Sequence, residues 1–503
     1  MENVLAFDLG ASSGRGILAG FDGEKISLEE IHRFPHNFST LNGRAYWDVL
    51  FLMDSMKDAL VKAPKDIKSI GFDTWGVDAG FIGKKGELVS LVGSYRDTAL
   101  DDINMKHALE KIAMAKFADG GKDDFPDRST LEKGERIAFE NTGIASLAYN
   151  TIYKLYFIRK NMPYVLENAD KMLLMPNLFE YLFSGVSHTE YSIGSTSQLY
   201  DMKHHCWSEF MIESLELPRK MFTKVDLAGE VLGNLLPDIQ EFTGQKLAKV
   251  TSVSGHDTAC AVAAVPAEED EFTFLSSGTW SLMGISSKTM LEGEEVIKSK
   301  ISNEGTYDGG YRPTVNITGL WIVQQLRRNF AKEGREYDFG TMAKMACEAG
   351  VSKSYINPDD FMQEGNYIKL ISEKCAETGQ KVPENDAELI SVVLTSLALK
   401  YRQVYESFKP FIHWDEKLYI VGGGVQNEVL CQYTANALKI PVYAGASEAT
   451  AVGNVMQQFK SMGVYETKAD KCAILAKSFD TKLYTPENTD AWDEAYEKYL
   501  KVV

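Results

Sequence analysis

Short apolar runs broken by glycine-rich turns open the chain. Val4-Leu5-Ala6-Phe7 reads as a buried strand and Gly16–Phe21 as a second, closed by an Asp22-Gly23 turn. A third strand is expected near Ile26 to Phe34. The period then changes: Leu50, Met53, Met56, Lys57 and Leu60 fall at helical spacing, and Ser69–Asp73 returns to a strand ending in Thr74-Trp75-Gly76-Val77-Asp78. Residues 95 to 245 read as helix-rich and irregular, with the charged, glycine-containing segment 119–135 as an exposed insertion. At Val250–Ser254 the pattern restarts with a strand, followed by Gly255-His256-Asp257-Thr258 and an alanine-rich helix. Phe272–Leu275 is a further strand, running into Ser276-Ser277-Gly278-Thr279-Trp280-Ser281. Between Ala387 and Phe408, apolar residues such as Leu389, Val393, Leu397, Tyr401 and Tyr405 mark one long helix. The strand Lys417–Val421 then meets Gly422-Gly423-Gly424-Val425-Gln426-Asn427 and another helix. No solenoid repeat is visible. The chain therefore reads as α/β in two parts, 1–248 and 249–503, each with one strand–glycine–hydroxyl hairpin.

Charge and cysteine usage narrow the function. The 503 residues carry 53 basic and 71 acidic side chains, a net −18, which opposes binding to nucleic acid or an anionic membrane. No apolar stretch approaches membrane-spanning length, and the sequence starts directly with a strand, so neither a leader nor a span is expected. The six cysteines are scattered without a CxxC pair, which argues against disulfides or a zinc site and for a reducing cytoplasm. His204 and His205 are read as surface residues.

The hairpins suggest phosphate handling, the alternative for the first one alone being an ordinary Gly/Ser turn. In Asp8–Arg15, glycines let backbone N–H groups approach an anion, Ser12, Ser13 and Arg15 add side-chain donors, and Asp8 is placed to hold hydrated Mg²⁺. With the second hairpin and the Gly422–Asn427 turn ahead of a helix, the set favours an ATP site. There is no GxxxxGK[ST] loop and no strand–GxGxxG–helix pattern.

Asp257 is the main candidate for chemistry. It suits a helix N-cap, and it equally suits a general base that takes a proton from a substrate hydroxyl during phosphoryl transfer. His256 beside it is either a buried structural histidine or a donor to a substrate oxygen. Asp73, Trp75, Gly76 and Asp78 either line a sugar pocket or form a core tryptophan with turn-capping aspartates. Asn316 and Gln324 flank Gly319-Leu320-Trp321 and are both expected on a helix. Trp47, Trp207 and Trp414 are expected to pack.

These motifs together resemble the FGGY carbohydrate kinases of the actin/hexokinase superfamily. The likeness runs over nearly the whole chain, through Asp8–Arg15, Ile31–Phe34, Trp47–Val49, Ile70–Asp78, Tyr95–Asp97, His256–Ala259, Leu275–Gly284, Asn303–Gly305, Gly319–Trp321 and Ile420–Asn427. The resemblance implies two ribonuclease-H-like domains with a cleft between them. It implies ATP contacts at Ala11, Ser12, Ser13, Gly14, Arg15, Thr279, Gln324 and Gly423, and Asp257 as catalytic base. It implies sugar contacts at Gly76, His256, Asp257, Thr258 and Asn316. The finer wording of the hairpins and of Asp73–Asp78 implies L-rhamnulose as acceptor, phosphorylated on its 1-hydroxyl in L-rhamnose catabolism. Another ketose such as L-fuculose, or an actin- or chaperone-like ATPase, are the alternatives. A monomer or homodimer is expected. Segment 119–135 departs from the family pattern.

Overall fold

A computed structural model of the chain describes residues 2–10, 13–36, 38–118, 127–414 and 416–503. The chain packs into two units, each assembled from separated segments. The first comprises Met1–Ala264, Ser287–Pro313 and Thr450–Ser478; the second comprises Val265–Ser286, Thr314–Ala449 and Phe479–Val503. Residues 249–264, which chain order places in the second part, therefore pack in the first unit.

In the first unit, strands β1 (Glu2–Leu9), β2 (Ser13–Phe21) and β3 (Ile26–Pro35) form the expected antiparallel meander. Beyond β1 lie β4 (Ser69–Thr74), β6 (Lys249–Thr251) and the edge strand β5 (Val231–Asn234), giving the order β5-β6-β4-β1-β2-β3. β4 runs parallel to β1, and β6 parallel to β4. Burial on both faces explains why β1 and β4 read as nearly continuous apolar runs. Helix α1 (Val49–Lys62) starts at an Asp48 cap that accepts the Phe51 N–H, and it turns Leu52, Met56, Ala59 and Leu60 into the core beside Phe7 and Phe72. β6 is shorter than the strand expected at Val250–Ser254; it gives way to an extended stretch leading into α2 (Asp257–Ala263).

The second unit repeats the plan. β7 (Phe272–Ser277) pairs antiparallel with β8 (Trp280–Ser286), which pairs with β9 (Tyr311–Thr318), the strand along which the chain enters this unit at Thr314. On the other side of β7 lie β10 (Leu418–Val421) and β11 (Val442–Ala444), both parallel, then the antiparallel edge β12 (Lys482–Tyr484). Helix α3 (Trp321–Lys332) follows β9, α4 (Asp386–Phe408) is the long helix, and α5 (Glu428–Leu438) follows the glycine turn. The Tyr401 hydroxyl of α4 bonds Ser281 Oγ of β8 at 2.7 Å.

The chain then returns to the first unit with α6 (Ala449–Ser461). Among the described residues no cysteine is paired and no helix is long and apolar enough to cross a membrane. Of the insertion, 119–126 lies outside the described residues. Arg128 and Arg136 both pair with Glu294, at 2.5 and 2.6 Å, and the Ser129–Glu132 capping box starts the helix Thr130–Thr142.

Helix α6 approaches α2 so closely that a Cβ at Gly453 would overlap the backbone carbonyl of Cys260. A backbone neighbour cannot rotate away, so the helices must separate to admit one methyl group. Gly453→Ala is therefore expected to lower stability by about 1–3 kcal/mol, read as the shift of the denaturation midpoint.

Candidate active site

The carboxyl ends of β1, β4 and the stretch before α2 lie side by side, the edge at which open α/β sheets present ligand-binding groups. Asp8 is the register partner of Asp73 across the parallel pair and of Arg15 across the hairpin. Arg15 closes an ion pair on Asp8. Asp73 is fully buried; Asn454 Nδ2 on α6 donates to its Oδ2 at 2.7 Å, while Oδ1 has no partner among the described residues. Burial, the Asp8 charge beside it and the nearby Asp257 push the Asp73 carboxyl well above the usual range, against the pull of Asn454 and Arg15. The amide ladder on α6 continues through Gln458, which donates to Asn454 Oδ1 at 2.7 Å and to the Leu5 carbonyl at 3.1 Å. Gln457 accepts the Ser254 N–H at 2.7 Å.

Asp257 is the first residue of α2, and His256 is the N-cap, with no side-chain cap bond of its own. The N-cap reading of Asp257 is thereby corrected by one position. Its Oδ1 accepts the Thr258 N–H at 2.6 Å and the Thr258 hydroxyl at 3.1 Å, and its side chain stays 29% exposed. Glu190, fully buried, fixes the approach to this turn. It accepts the Gly255 N–H at 2.9 Å and the Ser192 hydroxyl at 2.6 Å, and Ser192 Oγ accepts the His256 N–H at 3.3 Å. Thr74 donates its N–H to the Gly255 carbonyl at 2.9 Å, tying the end of β4 to the same turn.

Past Thr74 the backbone tightens. Asp78 N–H bonds the Gly76 carbonyl at 2.9 Å around Val77, whose φ of +66° is a strained value for a β-branched residue. Three tethers hold it: Val77 N–H donates to Thr196 Oγ1 at 3.1 Å, and its carbonyl accepts from Thr151 Oγ1 at 2.8 Å and Lys154 Nζ at 3.1 Å. Lys154 also pairs with buried Asp78, whose Oδ2 accepts the indole N–H groups of Trp47 and Trp75, each at 2.7 Å. Trp75 lies against Trp47 at 4.2 Å and His36 at 5.0 Å between centroids and is buried, as the reading of a core tryptophan expects. Burial pulls the His36 pKa down to about 4 and keeps the ring neutral.

In the second unit, Gln324 on α3 donates to Thr279 Oγ1 at 3.2 Å. Asn316 is not helical as expected; it sits on β9, opposite Leu282 of β8. A Cβ at Gly422 would stand 2.9 Å from the Ser277 carbonyl, and one at Gly424 would overlap Ser277 Oγ, whereas Gly423 faces open space. The outer glycines thus let the turn pack on β7, and the middle one leaves room for a ligand to approach its backbone.

The structure brings Asp8, Ser13, Gly14, Arg15, Gly76, His256, Asp257 and Thr258 into the first unit, and Thr279, Asn316, Gln324 and Gly423 into the second. Ala11 and Ser12 lie outside the described residues. The sequence reading missed Glu190 and Asn454. Glu190 carried no motif, and the only trace of Asn454 was its place one residue after Gly453 among small side chains.

Residues 129–264 match the family model described as "FGGY family of carbohydrate kinases, N-terminal domain", and 273–462 match its C-terminal counterpart. Curated proteins named rhamnulokinase align over nearly the full length. One from Bacteroides thetaiotaomicron is 36% identical, covering 98% of each chain. One from Halalkalibacterium halodurans is 34% identical, covering 96% of this chain and 99% of its own. The fold matches the crystal structure of xylulose kinase from Rhodospirillum rubrum with a TM-score of 0.77 at 16% identity, covering 100% of this chain and 98% of that one. Plasmodium falciparum glycerol kinase with ADP matches at 0.74 and 12%, covering 100% and 97%.

Asp73 makes stability depend on pH. Its folded pKa is raised, so its contribution is fully present below the unfolded value, about 3.9, and is lost as pH rises toward the folded one. In metal-free protein, Asp73→Asn, which cannot ionise, should denature at a higher midpoint than the parent, by a margin larger at pH 7 than at pH 4. An equal margin at both values would contradict this.

Proposed function

Because this chain belongs to the FGGY family of carbohydrate kinases, we propose that it transfers the γ-phosphoryl group of ATP to the 1-hydroxyl of L-rhamnulose. The observation that carries the choice of sugar is the full-length likeness to proteins named rhamnulokinase. The geometry supports the chemistry independently of the sugar.

Asp257 takes the proton of the acceptor hydroxyl as that oxygen attacks the γ-phosphorus and the bond to the bridging oxygen of ADP breaks. Its partial exposure leaves it reachable, and its two bonds from Thr258 aim it. Ser13, Gly14 and Arg15 donate to phosphate oxygens at the hairpin. Gly76, His256, Thr258 and Asn316 bind the sugar, while Thr279, Gln324 and Gly423 bind the nucleotide. Among the described residues no three His, Cys, Asp or Glu side chains form a metal cage. Mg²⁺ needs no such cage, since it keeps waters and binds through one or two carboxylates plus substrate phosphates. Asp8 is the carboxylate for it, and the ion would supply neutralisation of phosphate charge. The free cysteines support a reducing cytoplasm as the compartment.

Two measurements test the reading. ADP release across a panel of ketoses should be greatest with L-rhamnulose. Preference for L-fuculose would move the assignment within the class, and sugar-independent hydrolysis at the same rate would favour an actin- or chaperone-like ATPase. Asp257→Asn should fold normally and lose about 10²–10⁴-fold in turnover; near-parental activity would remove Asp257 as the base.

A further inference from the structure

His256 is held on the side away from Asp257 by two buried charges that the reaction above does not use. Arg312, near the start of β9, is fully buried, and Glu304 is 8% exposed; both belong to the first unit with His256. Arg312 Nη2 pairs with Glu304 Oε2 and stands 2.9 Å from His256 Nδ1. Glu304 Oε2 lies 3.0 Å from the same Nδ1, and His256 Nε2 is 3.4 Å from Asp257 Oδ1. Burial opposes the charge on Glu304, yet Arg312 and His256 beside it hold the carboxyl below its ordinary value.

Nδ1 faces both a donor, Arg312 Nη2, and an acceptor, Glu304 Oε2, so the surroundings of Nε2 decide where the ring proton sits. A guanidinium donates and never accepts, and Nη2 carries two N–H groups. One reaches Glu304 and the other reaches Nδ1, provided Nδ1 is bare. A proton on Nδ1 could bond Glu304 Oε2 at 3.0 Å, but it would leave the second Nη2 N–H unpaired and turn the bare Nε2 lone pair toward the Asp257 carboxylate at 3.4 Å. The ring proton therefore belongs on Nε2, the nitrogen that faces Asp257. A donor there faces the Asp257 carboxylate at 3.4 Å. It can also bond a lone pair of the acceptor oxygen, leaving that hydroxyl's own proton free to pass to Asp257.

Stability alone is a poor reason for this pair. Buried ion pairs are often replaceable by apolar side chains without loss. Arg312 moreover leaves Nε and Nη1 without partners among the described residues, which is itself unfavourable.

We propose that Arg312, charge-balanced by Glu304, is a positioning residue that fixes His256 as the Nε2–H tautomer and so gives the acceptor subsite a donor beside the Asp257 carboxylate. The proposal rests on the reading of His256 and Asp257 as that subsite.

The test begins with the parent protein labelled with ¹⁵N-histidine, the His256 signals being assigned by their loss in His256→Gln. At pH 7, long-range proton–nitrogen spectra should show Nδ1 bare and Nε2 protonated; Nδ1–H or an imidazolium overturns the proposal. Arg312→Met/Glu304→Leu removes both charges together. It should shift His256 away from the Nε2–H state and lower kcat/KM for the ketose about tenfold, with KM for ATP within about twofold. Arg312→Gln/Glu304→Gln keeps an amide donor for Nδ1 and should restore both the tautomer and most of kcat/KM. If the Met/Leu variant folds and keeps the parental tautomer and sugar kinetics, Arg312 has no such role. Should that variant fail to fold, the parental spectrum alone decides. Absence of ketose turnover in the parent would overturn the kinase reading and leave the tautomer result standing.

Discussion

Carboxyl groups at the ends of neighbouring parallel strands repel one another, and burial strengthens the repulsion. Asp8 and Asp73 stand in register, and Asp257 adds its charge nearby. The first unit resolves this by giving each acid a different partner: a guanidinium for Asp8, a neutral amide for Asp73 and a hydroxyl with a backbone N–H for Asp257. Much else follows from that division. Asp73 needs Asn454, so α6 must come back to the first unit after the whole second unit has been built. It must also pack against α2 closely enough that only glycine fits at 453. The acid edge thus dictates a long-range chain path.

The same sheet plan occurs twice with different chemistry at corresponding strand ends. β1 and β4 carry paired aspartates one residue before their last register pair, whereas β7 and β10 finish with Ser276 opposite Val421. Glycines and hydroxyls then take over: the turn at Gly278 is closed by its N–H on the Trp280 carbonyl at 2.9 Å, and Gly422 and Gly424 nest on Ser277. One scaffold carries an acidic edge in the first unit and a glycine- and hydroxyl-rich edge in the second. Function here lies in what is grafted on the strand ends and not in the fold.

What the sequence disclosed was local. The meander, the Asp22-Gly23 turn and the long helix α4 rest on period and turn chemistry within a few residues, and they appear where the pattern puts them. Asp257 was legible because it follows a strand and opens a helix, though one position from the cap. What was illegible depends on partners far along the chain. Asn454, Gln457 and Gln458 look like the solvated face of a helix, and nothing local announces that they reach Asp73, Ser254 and Leu5. Arg312, between Tyr311 and Pro313, reads as an exposed strand charge, and the Asn303–Gly305 match did not announce that Glu304 pairs with it. Asn316 misled for the converse reason: the helix after Trp321 is real, but it begins too late to include Asn316.

The rigid parts of the first unit cluster around the residues assigned to the acceptor. Gly76 adjoins the strained Val77, which three tethers hold in place, and Asp78 is fixed by Lys154, Trp47 and Trp75. His256 is fixed by Arg312 and Glu304, and its backbone by Ser192. A backbone turn under strain persists only when its surroundings over-determine it. Donors and acceptors held this firmly cannot shift to suit a sugar whose hydroxyls are differently placed, so a mismatched ketose leaves buried polar groups unpaired. Gly423 is the opposite case, a backbone edge with open space before it and no side chain to choose with. On the proposed assignment, the buried polar network around Gly76 and His256 does most to discriminate between acceptors, and the Gly423 turn adds nucleotide binding without comparable selectivity.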